Sequence, residues 1–256
     1  MNWTTFFAMM RRDAHVARRN FIPLVLQTML QPLLFVFIFG QVMIRSGFMP
    51  ANYRTMLLPG IMAMSMLMTG VQAVSMPLIA EFQFTREIED RLLAPMTIQW
   101  LAIEKVVSGM IQALISGVIV VIAAWLVMGT NVGITFTRPV EFAAVVFLVA
   151  LLSAAGGLTM GCSVGQTHIG LLFSLVLAPM IMFGCAYYPW SALASFPVVQ
   201  TAVLVNPLVY ASEGLRGTLA PQVPHMPTIV VILVMAVMDT FLIFFGLNRF
   251  MNKAVT

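Results

Sequence analysis

Long stretches without any charged residue divide this chain of 256 residues. Five of them lie between acidic or basic positions: Asn20–Ile44, Thr55–Ala80, Val106–Thr137, Phe142–Ser212 and Gly217–Met238. Hydrocarbon about 30 Å thick requires roughly 20 apolar residues of α-helix for one crossing. Each stretch is long enough for a crossing, and the 71 residues that begin at Phe142 can hold two. The pattern predicts six membrane-spanning helices, at about 21–43, 56–79, 106–128, 141–163, 169–186 and 227–247.

Prolines interrupt the apolar pattern after Tyr187. They separate pieces that are too short to cross a membrane. The three prolines concerned are Pro189, Pro197 and Pro207. We therefore expect residues 187–225 to form an outer re-entrant segment of short helices before the last crossing. A seventh crossing over Phe196–Ser212 is the alternative, but it would move Arg249 and Lys253 to the outer side, against the usual distribution of basic residues.

Two polar segments accompany the predicted crossings. Residues 1–19 place apolar and basic side chains on different faces of a helix, which is typical of a helix lying on a membrane surface. Residues 81–105 contain five acidic and three basic residues, and they are too polar to cross, so we expect them to lie in water. The prediction is an all-α integral membrane protein with a single domain, residues 1–256.

The composition excludes an ordinary soluble protein. Hydrophobic residues make up 61% of the chain, charged residues make up 9%, and the mean hydropathy is +0.98. Soluble domains contain about 25% charged residues. A net charge of +4 would suit nucleic acid in a soluble protein, but here the basic residues lie between apolar stretches. No nucleic-acid partner is expected, and the lipid bilayer is the expected surrounding.

The basic residues also predict an orientation, because Lys and Arg accumulate in cytoplasmic loops. With six crossings, one side holds nine of them: Arg11, Arg12, Arg18, Arg19, Arg86, Arg91, Lys105, Arg249 and Lys253. The other side holds four: Arg45, Arg54, Arg138 and Arg216. Both termini are therefore predicted to be cytoplasmic, in a bacterial-type inner cell membrane. Cys162 and Cys185 fall near opposite faces of the membrane, so no disulfide is expected between them.

Three motifs follow one another along the chain. They are Leu57-Leu58-Pro59-Gly60-Ile61; Arg86-Glu87-Ile88-Glu89 with Leu92-Leu93-Ala94-Pro95 and Lys105; and Asn206-Pro207-Leu208-Val209-Tyr210 with Glu213, Leu215 and Arg216. With these motifs in this order, the chain resembles the permease subunits of type-2 ABC exporters over nearly its whole length. That group includes drug, polysaccharide and nodulation-signal exporters. The resemblance implies a homodimer or heterodimer, a separate ABC ATPase subunit, and a drug-like, lipid-linked or saccharide cargo.

The resemblance gives the charged segment a role in coupling to the ATPase. The candidate contacts are Arg86, Glu87, Glu89, Asp90 and Arg91. Solvation of a loop is the simpler alternative, since surface charges commonly have no other role. The chain contains no Gly-x-x-x-x-Gly-Lys-Ser/Thr loop, and neither Lys105 nor Lys253, its two lysines, follows a glycine. We therefore expect no catalysis and no cofactor on this chain, with ATP and Mg held by the partner. A membrane scaffold or channel that never couples to ATP is the alternative function.

Several polar residues near the last crossing are further candidates. Asn206, Pro207, Tyr210, Glu213 and Arg216 form the outer signature, in which Glu213 and Arg216 are one helical turn apart and can pair. Asp239 lies well inside the last predicted crossing, where a charge costs about 2.5–3.5 kcal/mol by insertion scales. It is either a substrate-path or proton-coupled site, or an acid with a hydrogen-bond partner on a neighbouring helix.

Small residues recur every fourth position on two crossings, which allows helices to approach closely. These packing faces are Gly109, Ala113 and Gly117, and Gly157, Gly161 and Gly165. Gly161-Cys162-Ser163-Val164-Gly165 also matches a nucleophile elbow, with His168 and Asp239 available for a triad. That elbow requires a strand-to-helix turn, so we favour packing, and no metal-ligand cluster is predicted.

Overall fold

The computed structural model describes residues 8–12, 30, 32–50, 52–83, 97–129, 133–163 and 173–255. Eight helices are numbered here in chain order. They are α1 (Pro32–Arg45), α2 (Tyr53–Gln83), α3 (Ile98–Met128), α4 (Pro139–Ser163), α5 (Phe173–Leu177 and Ala178–Met182), α6 (Pro197–Ala202), α7 (Pro207–Leu219) and α8 (Thr228–Val255). Residues 38–42 and 173–177 are π-helical, and two short 3₁₀ turns flank α6. The described residues contain no strand, which confirms the all-α prediction.

Within the part of the chain that the structure describes, four helices, α2, α3, α4 and α8, are long and apolar enough to cross a membrane. They correspond to the second, third, fourth and sixth predicted crossings. The helices α1 and α5 cover parts of the first and fifth, while residues 13–29 and 164–172 lie outside the described residues. The count of six therefore stays a prediction, as does the interfacial helix over 1–19, of which residues 8–12 are helical.

One predicted boundary is wrong, and one helix extends beyond the crossing predicted for it. The third crossing was expected to begin near residue 106, and α3, which contains it, begins eight residues earlier at Ile98. The fifth was expected to continue to 186, but α5 ends at Met182, and the chain follows an irregular path from Phe183 to Pro189. Short helices do follow, as the prolines indicated, although their depth in a membrane stays a prediction.

Helix α2 lies at the centre of the bundle and packs against α3, α4 and α7. Its most apolar window is 83% buried by other parts of the protein, whereas that of α8 is 22% buried. Hydroxyl groups join α2 to α3 inside the core. Ser65 Oγ and Ser116 Oγ are 2.8 Å apart, and Thr69 Oγ1 donates to Ser116 Oγ at 2.9 Å.

Both predicted packing faces contact α2. A Cβ atom added to Gly109 would lie 2.3 Å from Val74 Cγ2, and one added to Gly157 would lie 2.7 Å from the carbonyl oxygen of Val71. A Cβ added to Gly161 would lie 3.1 Å from Ser75 Cα. Close approach of α3 and α4 to α2 therefore depends on these glycines. Ala113 and Gly117 continue the face of α3, and Gly165 lies outside the described residues.

The bundle has two ends that differ in chemistry. The signature end contains the start of α2, residues 133–138, the irregular segment after α5, and α7. The charged end contains the C-terminal ends of α2, α4 and α8 and the start of α3. Direct contacts define each end: Tyr53 Oη donates to the Tyr187 carbonyl at 2.8 Å, and Lys253 Nζ donates to the Gly161 carbonyl at 3.3 Å.

Candidate functional site

Helix α7 begins with a side-chain cap that also fixes its position. Asn206 Oδ1 accepts a hydrogen bond from the Leu208 amide at 3.0 Å, and Asn206 Nδ2 donates to the Met180 carbonyl at 2.8 Å. Pro207 occupies the first helical position, where its missing N–H costs nothing. The cap therefore starts α7 and holds it against α5.

Glu213 and Arg216 form a buried ion pair on α7. Their side chains are 1% and 0% exposed, and Arg216 Nη1 donates to Glu213 Oε1. Arg216 Nη2 also donates to the Cys185 carbonyl at 2.8 Å. Burial lowers the pKa of Arg216, and the Glu213 carboxylate opposes that shift. Burying two charges is favourable only when further hydrogen bonds complete the pair.

The Glu213 carboxylate accepts two further hydrogen bonds from backbone amides, which complete the pair. Oε1 accepts from the Trp190 amide at 2.9 Å, and Oε2 accepts from the Met226 amide at 2.9 Å. Together with the Arg216 contact to Cys185, the pair joins α7 to three other segments: the chain after α5, the first 3₁₀ turn, and the chain just before α8. The group from Glu213 to these three backbone partners is called the outer junction below.

The backbone after α5 is held tightly against α2. A Cβ added to Gly60 would lie 1.8 Å from the Ala186 carbonyl oxygen, so that oxygen occupies the space above the glycine. Cys185 has a φ of 52°, an uncommon value for a residue with a side chain. The Leu-Leu-Pro-Gly-Ile motif thus has a physical role here: Gly60 leaves space for a carbonyl of the irregular segment after α5.

Aromatic residues complete this side of the signature end. Tyr187 Oη lies 3.3 Å from Met64 Sδ, and the Tyr187 ring packs against Phe35 with centroids 4.8 Å apart. Burial, with a smaller contribution from Tyr53, raises the pKa of Tyr187 to about 12. Its hydroxyl therefore stays neutral at physiological pH. Tyr210 of the signature is also buried, within the apolar core around α2.

A second buried ion pair lies at the charged end. Lys105 Nζ of α3 donates to Glu81 Oε1 of α2 at 2.9 Å, and Glu104 beside it is 0% exposed. The expectation that the whole segment 81–105 lies in water is therefore wrong at both of its ends, because these charges are buried in the bundle. The candidate coupling residues, Arg86, Glu87, Glu89, Asp90 and Arg91, all lie outside the described residues.

The end of α8 is also attached here. Lys253 Nζ lies 4.9 Å from the centre of the Phe82 ring, and the Phe82 and Phe250 rings meet edge to face at 5.7 Å. With the Lys253 contact to Gly161, these interactions connect α8 to both α2 and α4. Four helix ends therefore meet at the charged end, next to both ends of the segment 84–96.

Asp239 lies in the middle of α8 and is 2% exposed. Neither carboxylate oxygen has a hydrogen-bond partner among the residues described by the structure. The interpretation that a neighbouring helix supplies a partner finds no support in these residues. Leaving such a group unsatisfied costs about 1–3 kcal/mol, and more when it is charged.

The nucleophile-elbow interpretation lacks its structural context. Gly161 and Cys162 lie within α4, and Ser163 is the last residue of that helix. The elbow requires a strand before the turn, and the described part of the chain has none. The remaining members of the motif and His168 lie outside it. Cys162 and Cys185 are free thiols, both buried.

Several contacts of the candidate site were not predicted from sequence. The outer junction uses backbone groups of Cys185, Trp190 and Met226, and backbone groups carry no sequence signal. The Glu81–Lys105 pair had a weak signal, since an acid ends one apolar stretch and a base precedes the next. No spacing rule links residues 24 positions apart, so only the fold reveals the pair.

Comparison with known proteins identifies the chain over most of its length. Residues 4–220 match the family described as ABC-2 type transporter. The match includes the three motifs and the outer junction up to Arg216. No curated protein matches the sequence.

Proposed function

Because the chain belongs to the ABC-2 type transporter family, we propose that it is the membrane-spanning permease subunit of an ATP-driven exporter, working with a separate ABC ATPase. Permease domains of this family generally work with such partners and are not catalytic themselves. The observation that carries the proposal is the Glu81–Lys105 ion pair. It links the two helices that flank the segment 84–96, the candidate docking site for the ATPase.

The pair suits a mechanical role because of its position. A partner that displaces residues 84–96 pulls on the end of α2 and on the start of α3 at the same time. A buried ion pair between these helices keeps their ends together, so the displacement is passed into the bundle as one movement. Helix α2, at the centre, then carries it towards the signature end.

The remaining architecture is part of the proposal. The chain crosses the membrane six times, with both termini in the cytoplasm and residues 187–225 as an outer re-entrant segment. Two permease chains, identical or related, form the substrate path between them. ATP and Mg bind to the ATPase subunits. The exposed apolar side chains of α3 and α8 support lipid or protein contact along these helices.

A charge-reversal experiment tests the coupling. The chain is purified from its native membrane, and the ATPase that accompanies it is measured by ATP hydrolysis. The double variant Arg86→Glu with Glu87→Arg is expected to lose this activity while remaining folded. The matched control reverses the exposed pair at the other end of the bundle, Arg138→Glu with Glu141→Arg, whose side chains are 54% and 40% exposed; it should retain the ATPase.

The alternative function, a scaffold or channel without ATP coupling, predicts a different result. In that case no ATPase accompanies the wild-type chain, or its amount is the same in both double variants. Either outcome would overturn the coupling proposal. Cargo is tested separately, by ATP-dependent uptake of drug-like, lipid-linked and saccharide compounds into inverted vesicles.

A further inference from the structure

We propose that Asp239 binds a proton, which keeps its carboxyl group neutral while α8 packs against α4. The side chain is 2% exposed, and both of its oxygens are buried without a hydrogen-bond partner in the described part of the chain. A carboxylate in such a place has neither water nor a donor to stabilise its charge. A bound proton removes that charge.

Several hydroxyl groups on the neighbouring surfaces are already engaged elsewhere. Ser153 donates to the Ala150 carbonyl at 2.7 Å, Thr240 donates to the Ala236 carbonyl at 2.7 Å, and Thr159 bonds to the carbonyls of Ala155 at 2.9 Å and Leu242 at 3.2 Å. Ser212 of α7 and Thr228 of α8 are buried hydroxyl groups without a partner among the described residues, and neither of them bonds to Asp239. None of these hydroxyl groups therefore stabilises an ionised Asp239.

Charged groups on the surrounding helices lie towards the two ends of the bundle. Helix α8 packs against α4, α7 and α3, and its C-terminal end also contacts Phe82 of α2. The described charged residues of these helices, with those of α8 itself, are Glu141; Glu213 and Arg216; Glu104 and Lys105; Arg54 and Glu81; and Arg249 and Lys253. Gly214 contacts Val231, and Gly246 contacts Leu158 and Thr159, so Asp239 lies between these two levels. Arg249 is ten residues further along α8, or about 15 Å.

The proton links this site to helix packing. Separating α8 from α4 would admit water, and the hydrated carboxyl would release its proton. Low pH therefore favours the packed arrangement, and higher pH favours separation. The inference does not depend on an ATPase partner, so it can fail or succeed independently of the proposed function.

Infrared spectroscopy with isotope labelling tests the protonation directly. The chain has only three aspartates, Asp13, Asp90 and Asp239, so ¹³C-labelled aspartate marks few groups. At pH 7 the wild-type protein is expected to show a protonated carboxyl band that shifts with the label. The band should disappear in Asp239→Asn and remain in the control Glu141→Gln, which changes an exposed acid. Absence of the band from the wild type, or its persistence in Asp239→Asn, would overturn the proposal.

Thermal unfolding gives a second readout. Wild-type protein is expected to lose stability as the pH rises from 6 to 8, because the folded state holds a proton that the unfolded state has released. Asp239→Asn, a neutral isostere, should reduce this pH dependence and unfold at a higher temperature than wild type at pH 8. A variant that is less stable than wild type at both pH values, with an unchanged pH dependence, would indicate that the carboxylate makes a stabilising contact and would contradict the inference.

Discussion

The two buried ion pairs found among the described residues differ in what they connect. Glu213 and Arg216 belong to one helix, and their other partners are backbone groups of three further segments. Glu81 and Lys105 belong to two helices and meet through their side chains. Hydrogen bonds to backbone groups leave the Glu213–Arg216 pair little freedom to move. The long side chains of Glu81 and Lys105 can instead follow a moderate displacement of their helices. The comparison indicates a rigid signature end and a charged end that can move without losing its pair.

Breaking the outer junction is expected to have the largest effect. Arg216→Met leaves the Glu213 carboxylate buried without its cation, which costs about 3–5 kcal/mol in comparable cases. The free energy of unfolding in detergent measures the loss. Arg138→Met removes the exposed pair with Glu141 and should cost less than about 1 kcal/mol. Equal losses in the two variants would contradict the junction's role.

A methyl group at Gly60 should have the next largest effect. Gly60→Ala forces the new Cβ against the Ala186 carbonyl, and overpacking of this kind costs about 1–3 kcal/mol or more. Gly156 is a matched control, because the atom nearest to an added Cβ there is 3.8 Å away, at Val71. Gly156→Ala should leave the unfolding temperature unchanged or raise it slightly. A similar change in stability in both variants would show that the contact with the Ala186 carbonyl does not decide the outcome.

Exchanging charges tests the freedom of the second pair. Lys105→Met should cost roughly 1.5–3 kcal/mol, the range for hydrogen bonds to charged groups. The exchange Glu81→Lys with Lys105→Glu should recover much of this stability, because two flexible side chains can meet in either order. The same exchange at Glu213 and Arg216 should recover nothing, since the three amide and carbonyl partners do not change. Recovery of stability at both ion pairs, or at neither, would contradict the proposed difference in freedom between the two ends.

Removing the cap of α7 should have the smallest effect. Asn206→Ala loses an N-cap bond worth about 1 kcal/mol, together with the contact to Met180. Asn206→Asp retains the acceptor for the Leu208 amide but loses the donor to Met180, so it should lie between the wild type and Asn206→Ala in unfolding temperature. If Asn206→Asp unfolds at the same temperature as Asn206→Ala, the lost stability comes from the Met180 contact alone.

The four long helices could be predicted from sequence because hydrocarbon imposes a strict length on charge-free segments. The errors arise where protein replaces lipid or water around a charge. Hydropathy placed Glu104 and Lys105 in water, whereas α3 begins at Ile98 and buries both, with Glu81 as the partner of Lys105, a tertiary contact that hydropathy does not report. The signature residues of α7 were found from a motif, but their partners at Cys185, Trp190 and Met226 are backbone atoms. Their positions depend on the folded path of the irregular segment.

Enclosure of α2 has a consequence for how this sequence can vary. A helix that meets protein on nearly every side has no position at which a larger apolar residue is free of consequence. Helix α8, mostly exposed in the single chain, can exchange one aliphatic side chain for another along much of its surface. A saturation scan should therefore find that Leu, Ile, Val, Met and Phe replace one another freely along most of α8, while along α2 even these exchanges are selected against.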